Sequence, residues 1–141
     1  MSINFKEMAE IAKIRHTKDP QILTEIVKRG INNPISQWAV SNSNCPPEML
    51  SEVLRKGKNN LVSRFAARNR NCHKEILAEV LRREKDDDVS LNASRNPNCP
   101  DEAKIKWMQI TGRIEKENPK KHIIEYEKIT EDDFQDLKDL L

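Results

Sequence analysis

The strongest constraint on the fold of this chain is a repeat of 27 residues. The stretch at 62–88 reads VSRFAARNRNCHKEILAEVLRREKDDD, and the stretches on either side resemble it. Self-similarity at a fixed period of this size is typical of stacked-repeat proteins, in which each unit packs only against its neighbours. The positions repeated at this interval are Ser36, Ser63 and Ser90; Ala39, Ala66 and Ala93; Asn42, Asn69 and Asn96; Asn44, Asn71 and Asn98; Cys45, Cys72 and Cys99; and Glu48, Glu75 and Glu102.

A degenerate first copy precedes these three. Pro20 falls on Pro47, and Lys28-Arg29-Gly30 falls on Arg55-Lys56-Gly57. A terminal repeat is expected to depart from the pattern because one of its faces has no neighbour. We therefore predict a repeat domain at 1–113, a charged linker at 114–128 and an acidic amphipathic helix at 129–141. The four predicted units span about 8–34, 35–61, 62–88 and 89–113.

Each unit contains two predicted helices. In the second helix of the third unit, Ile76, Leu77, Val80 and Leu81 form one apolar stripe at helical spacing. Gly30 and Gly57 are predicted to end such helices in a left-handed conformation. The first helices are shorter, at 35–41, 62–68 and 89–95, and their predicted buried faces include Trp38 and Phe65.

These residues resemble a known repeat family. The run Asn96-Pro97-Asn98, followed by Pro100 and Glu102 and preceded by Val89 and Ala93, is similar to the leucine-rich repeat variant, a relative of HEAT-like helical repeats. The resemblance covers about 8–113. It implies an all-α fold, a right-handed α-solenoid of about four two-helix repeats, to which the C-terminal helix is added. The family implies no common activity.

Composition narrows the possible functions. Hydrophobic residues make up 36% of the chain and charged residues 34%, a ratio that repeat proteins tolerate because each unit buries a thin stripe. No apolar run approaches the roughly 18 residues of a membrane span, and we expect no membrane partner and a cytoplasmic location. The sequence offers no paired nucleophile and base, no phosphate-binding glycine loop and no cluster of metal ligands. We therefore expect neither an enzyme nor a cofactor.

The cysteines have a structural interpretation. One cysteine per repeat places neighbouring sulfurs roughly 8–10 Å apart, too far to share one metal ion. Cys-x-x-Glu occurs at Cys45–Glu48, Cys72–Glu75 and Cys99–Glu102, and it has the form of a capping box that starts the second helix. A redox sensor is the alternative, since a helix N-terminus lowers the pKa of a thiol.

The paired asparagines are predicted to turn the corner between the two helices of a unit. Asparagine tolerates left-handed backbone and bonds its own backbone two residues further on. Stacked copies of Asn42, Asn69 and Asn96 are expected to form a hydrogen-bonded ladder along one edge.

The basic residues favour a second function. Arg68 and Arg95 recur before the corner, and stacking would turn such positions into stripes that can follow a phosphate backbone. The residues of this predicted nucleic-acid surface are Arg64, Arg68, Arg70, Arg95, Arg55, Lys56, Arg82 and Arg83.

The charge balance changes beyond the repeats. Residues 1–113 hold 20 Lys and Arg against 14 Asp and Glu, whereas residues 114–141 hold 5 against 9. In the predicted helix at 129–141, Phe134, Leu137, Leu140 and Leu141 form a narrow apolar stripe. This segment is similar to the tails by which phage late-transcription factors and polymerases hold sliding clamps. It is expected to dock on its own repeats or on another protein.

Together these features predict a non-enzymatic adaptor that binds a protein through its concave face, its C-terminal helix, or both. A nucleic-acid-binding module is the alternative.

Overall fold

A computed structural model describes residues 4–115 of the chain, and the predicted helix at 129–141 lies outside this range. Within residues 4–115 the protein is all-α, as predicted, with no strand. The helices are α1 (Phe5–His16), α2 (Pro20–Lys28), α3 (Pro34–Ser41), α4 (Pro47–Arg55), α5 (Leu61–Arg68), α6 (Lys74–Arg82), α7 (Asp88–Arg95) and α8 (Asp101–Ile110). No helix of the described part is both long and apolar enough to span a bilayer.

The helices pack in two rows. α1, α3, α5 and α7 contact one another in that order, and α2, α4, α6 and α8 do the same. The rows are joined where each even-numbered helix contacts the odd-numbered helix that follows it, as α2 with α3, α4 with α5 and α6 with α7. Residues one period apart in the sequence therefore lie on neighbouring helices of one row.

The even-numbered helices supply most of the large core side chains. Leu23, Leu50 and Leu77 are one period apart and completely buried, and Ile76, Val80 and Leu81 of α6 are buried with them. The predicted apolar stripe is confirmed in these helices. In α8 the pattern changes, and the buried Trp107 donates a hydrogen bond from Nε1 to the carbonyl oxygen of Lys85 at 2.8 Å.

The odd-numbered helices approach each other through small residues. Ala39, Ala66 and Ala93 are fully buried, and so are Val40 and Ala67. The prediction that Trp38 belongs to the core is wrong, because its side chain is 38% exposed. Helices that meet at alanine lie too close for an indole between them, so the aromatic ring stays at the rim of the contact. Phe65 is only partly buried against the core.

Polar side chains cap the first turns of α3, α5 and α7. The side chains of Asn33, Asn60 and Asp87 accept hydrogen bonds from the backbone N–H groups of the serines three residues further on, at 2.8, 2.9 and 2.8 Å. Each bond satisfies one of the N–H groups that a helix start leaves without a partner. These caps also repeat every 27 residues, a signal present in the sequence.

The ends of the even-numbered helices follow the predicted glycine rule. Gly30 and Gly57 have φ of +67° and +69°. Glu84 stands one period after Gly57 and adopts the same left-handed conformation at φ +60°, so the third repeat holds a side chain where glycine fits better.

Candidate interaction surface

The cysteines lie just before the even-numbered helices rather than at their caps. The cap residues of α4, α6 and α8 are Pro46, His73 and Pro100, and none makes a side-chain capping bond. The predicted capping box of Cys45 with Glu48, Cys72 with Glu75 and Cys99 with Glu102 is therefore wrong. The physical reason is burial: the thiols point into the core, where Cys72 Sγ donates to the carbonyl oxygen of Ala66 at 2.9 Å. Each glutamate remains in the first turn, where the helix dipole favours a negative charge.

Burial also decides the chemistry of the thiols. It raises the pKa of Cys45 and of Cys72 to about 12, and it raises the pKa of Cys99 as well. The expectation that a helix N-terminus lowers these pKa values is wrong, because desolvation of the thiolate dominates. A thiol that stays protonated and buried lacks the reactivity of a redox sensor.

The asparagines form the expected ladder between repeats. Asn69 Nδ2 donates to the carbonyl oxygens of Val40 and Asn42 at 2.8 and 3.0 Å. Asn96 repeats these bonds to Ala67 and Asn69 one repeat later, both at 2.8 Å. Asn42 does the same towards α1, with bonds to the carbonyl oxygens of Ile14 and Thr17.

The second asparagine of each pair completes the corner. Asn69 Oδ1 accepts from the backbone N–H of Asn71 at 2.9 Å, which confirms the predicted local bond. The backbone of Asn69 is extended at φ −67°, so this residue does not use the left-handed conformation that asparagine tolerates. Asn71 Nδ2 in turn donates to the carbonyl oxygens of Ser43 and Cys45. These polar residues thus hold neighbouring repeats in register.

Two of the predicted nucleic-acid residues are engaged in ion pairs within the fold. Arg64 of α5 lies 3.2 Å from Asp88 of α7, and Arg55 of α4 lies 3.6 Å from Glu79 of α6, so each pair links neighbouring helices of one row. These arginines are less available to a phosphate backbone than the sequence indicates. The remaining predicted residues, Lys56, Arg68, Arg70, Arg82 and Arg95, are exposed, and Arg83 is half-buried.

Exposed arginines and aromatic rings meet along the row of odd-numbered helices. The guanidinium of Arg15 lies 4.5 Å from the ring centroid of Trp38, and that of Arg68 lies 5.8 Å from the ring of Phe65. Arg68 and Arg95 line one depression of about 430 Å³. We call this surface, comprising Arg15, Trp38, Phe65, Arg68 and Arg95, the odd-helix face. It crosses α1, α3, α5 and α7.

The odd-helix face was only partly foreseen. The sequence singled out Arg68 and Arg95 but placed Trp38 and Phe65 in the core, and it did not identify Arg15. No carboxylate of residues 4–115 lies within 4 Å of the guanidinium groups of Arg15, Arg68 or Arg95. The predicted partner-binding residues Phe134, Leu137, Leu140 and Leu141 lie outside the described residues.

Metal ligands do not gather in the described part of the chain. Among residues 4–115, no group of three or more His, Cys, Asp or Glu side chains is placed to hold an ion.

Comparisons with models of known families, with curated proteins and with solved structures found no match to this chain. The resemblance to the leucine-rich repeat variant and HEAT-like repeats therefore stays a prediction.

Proposed function

We propose that this protein is a non-enzymatic interaction scaffold, a right-handed α-solenoid of four leucine-rich-repeat-variant-like units that binds another protein through its odd-helix face. The two rows of helices and the ladder between repeats support the solenoid arrangement. The three cysteines of residues 4–115 are all unpaired, which favours a reducing compartment such as the cytoplasm.

The observation that carries the proposal is the exposure of Trp38 beside Arg15. A tryptophan that is 38% exposed leaves a large apolar surface in water. Tryptophan and arginine are enriched among the residues that supply most of the binding energy of protein interfaces. On the next odd-numbered helix, the half-buried Phe65 lies 5.8 Å from the guanidinium of Arg68, which adds a second aromatic and arginine pair to the face.

The charge of the odd-helix face indicates an acidic partner. Arg15, Arg68 and Arg95 have no carboxylate partner among residues 4–115, so a partner that supplies carboxylates would form new ion pairs. Pairs that close around a buried aromatic side chain are worth more than isolated surface pairs, because water is excluded from them.

The test compares two doubly substituted proteins as bait in the native cell. Trp38→Ala with Arg68→Glu alters the face, whereas Phe5→Ala with Lys6→Glu makes the same two kinds of change at exposed positions of α1. We expect at least one protein to bind the unaltered chain and the control, with recovery at least tenfold lower for the altered face. Equal recovery by all three baits would refute the proposal.

The same exposed ring favours nucleic acid as the second candidate. Aromatic rings that stack with bases beside arginines that contact phosphates are the elements of a single-strand binding surface. Retention of a labelled single-stranded oligonucleotide at about 50 mM salt, lost in the Trp38→Ala variant and weakened by added salt, would support this function. Absence of retention at that salt concentration would remove it.

A further inference from the structure

The groove between α6 and α8 departs from the repeat pattern. It has a volume of about 450 Å³, and its lining includes Arg82, Glu84, Glu102, Ala103, Lys106 and Ile110. Ala103 stands where the earlier repeats have Ile22, Met49 and Ile76. The loss of a bulky apolar side chain at position 103 helps to leave the groove open. Its volume is within the range of about 300–1,000 Å³ that is usual for binding pockets.

The same groove also has a different pair of charges from the groove of the preceding repeat. Between α4 and α6, Arg55 pairs with Glu79 at 3.6 Å across the helices. One period later these positions are Arg82 and Lys106, two cations that cannot pair with each other. Glu84 and Glu102 also line the groove, but no ion pair joins either of them to Arg82 or Lys106. The groove thus combines an apolar floor with two cations that lack the partner found in the preceding repeat.

We propose that this groove is the binding site for residues 129–141 of the same chain. This segment carries the apolar residues Phe134, Leu137, Leu140 and Leu141, and it has five carboxylate side chains against one lysine. The apolar side chains match the floor, where Ala103 and Ile110 are half-buried and still partly exposed to water. The carboxylates supply the partners that Arg82 and Lys106 lack.

The length of the connection favours this occupant. Arg113 contacts two elements next to the groove, lying 4.3 Å from the ring centroid of Trp107 and 3.0 Å from Asp86. The chain therefore leaves α8 beside the groove. Residues 116–128 then provide 13 connecting residues, which can span at most about 43 Å at roughly 3.3 Å per residue. The segment 129–141 is therefore tethered within reach of the groove, and a covalent tether raises its local concentration there.

The inference is independent of the proposed function, because the groove belongs to the even-numbered row and the odd-helix face to the other. The experiment measures amide hydrogen exchange of residues 129–141 in the full-length protein. Arg82→Glu with Lys106→Glu reverses both cations of the groove, and Lys6→Glu with Lys13→Glu makes the same charge change on the exposed surface of α1. We expect exchange in 129–141 to be about tenfold faster in the groove variant and unchanged in the control.

A compensating change gives the decisive result. Adding Asp136→Lys and Asp139→Lys to the groove variant should restore slow exchange, because the signs of both partners are then reversed. Failure to restore it, or equal exchange in the unaltered protein and the groove variant, would overturn the inference. Slow exchange that disappears on dilution would also overturn it, because the segment would then occupy the groove of a second copy.

A further variant tests the apolar floor. Ala103→Ile restores the kind of side chain that the earlier repeats have, and it should fill the groove and speed exchange of 129–141 by a similar factor. Unchanged exchange in Ala103→Ile would contradict docking on this floor.

Discussion

Removal of one ladder asparagine should destabilise the whole array, and Asn69 is the most informative choice. It is 7% exposed and belongs to the middle of the ladder. Its side chain makes three hydrogen bonds: it donates to the carbonyl oxygens of Val40 and Asn42 and accepts from the N–H of Asn71. A hydrogen bond contributes about 1 kcal/mol net to stability, and a buried polar group that is left without a hydrogen-bond partner costs more than that. We expect Asn69→Ala to lower the free energy of unfolding by about 3–4 kcal/mol.

The exchange of amide for carboxylate separates the ladder from a simple packing role. Asn69→Asp has almost the same shape and still accepts from Asn71, but it places a charged oxygen where Nδ2 now lies 2.8 Å from the carbonyl oxygen of Val40. The loss should therefore exceed that of Asn69→Ala. A carboxylate that cost less than alanine would show that the two carbonyl oxygens do not depend on a donor at this position.

Urea unfolding followed by circular dichroism at 222 nm measures both changes, with Asn32→Ala as the control. Asn32 is exposed and its side chain makes no hydrogen bond within residues 4–115, so its change should stay within about 0.5 kcal/mol. A loss below about 1 kcal/mol for Asn69→Ala, or a smaller loss for Asn69→Asp than for Asn69→Ala, would refute the reasoning.

Three further predictions concern helix ends and thiols. Glu84→Gly should raise the free energy of unfolding, measured in urea, by about 0.5–1 kcal/mol, because the backbone φ of +60° at this position is strained for a residue with a side chain. Gly57→Ala should lower the free energy of unfolding by about 1 kcal/mol, because φ is +69° there. Asp87→Ala should lower the free energy of unfolding by about 1 kcal/mol in the same assay, because the hydrogen bond from the N–H of Ser90 to the cap of α7 is lost. An unchanged free energy of unfolding would contradict a capping role. Burial raises the pKa of Cys45 and of Cys72 from 9.0 to about 12, so above pH 9 these thiols ionise in the unfolded chain before they ionise in the folded protein. Each of them should therefore lower the free energy of unfolding by about 1.4 kcal/mol for every pH unit above 9. Replacing both cysteines with alanine should flatten this fall in unfolding measured from pH 8 to 11, and an unchanged slope would contradict the assignment to the thiols.

Much of the fold was predictable because the sequence pattern of each helix occurs in several copies of the repeat. The stripe formed by Leu23, Leu50 and Leu77 and the left-handed glycines at 30 and 57 depend on local rules, namely helical spacing and backbone conformation. The short helices at 35–41, 62–68 and 89–95 were placed within one residue of their observed bounds. The inter-repeat bonds of Asn69 were expected because residues one period apart become neighbours when units stack.

The candidate surface was less predictable, because exposure depends on how closely helices approach. Trp38 and Ala39 are adjacent in the sequence, and helical spacing alone placed both on one buried face. The contact at Ala39, Ala66 and Ala93 brings the odd-numbered helices so close that only the small residue is enclosed. Arg15 was not identified because its contact with Trp38 joins residues of different helices.

The sequence by itself determined the period, the class of secondary structure and the residues that join one repeat to the next, since these follow from patterns within 27 residues. Only the tertiary structure decided which way the cysteines point, which arginines are paired and which aromatic ring reaches water. The spacing Cys-x-x-Glu fits a capping box, but burial of the thiol in the core excludes that role. Burial, charge pairing and the closeness of helices are properties of the packed array, and a single repeat does not contain them.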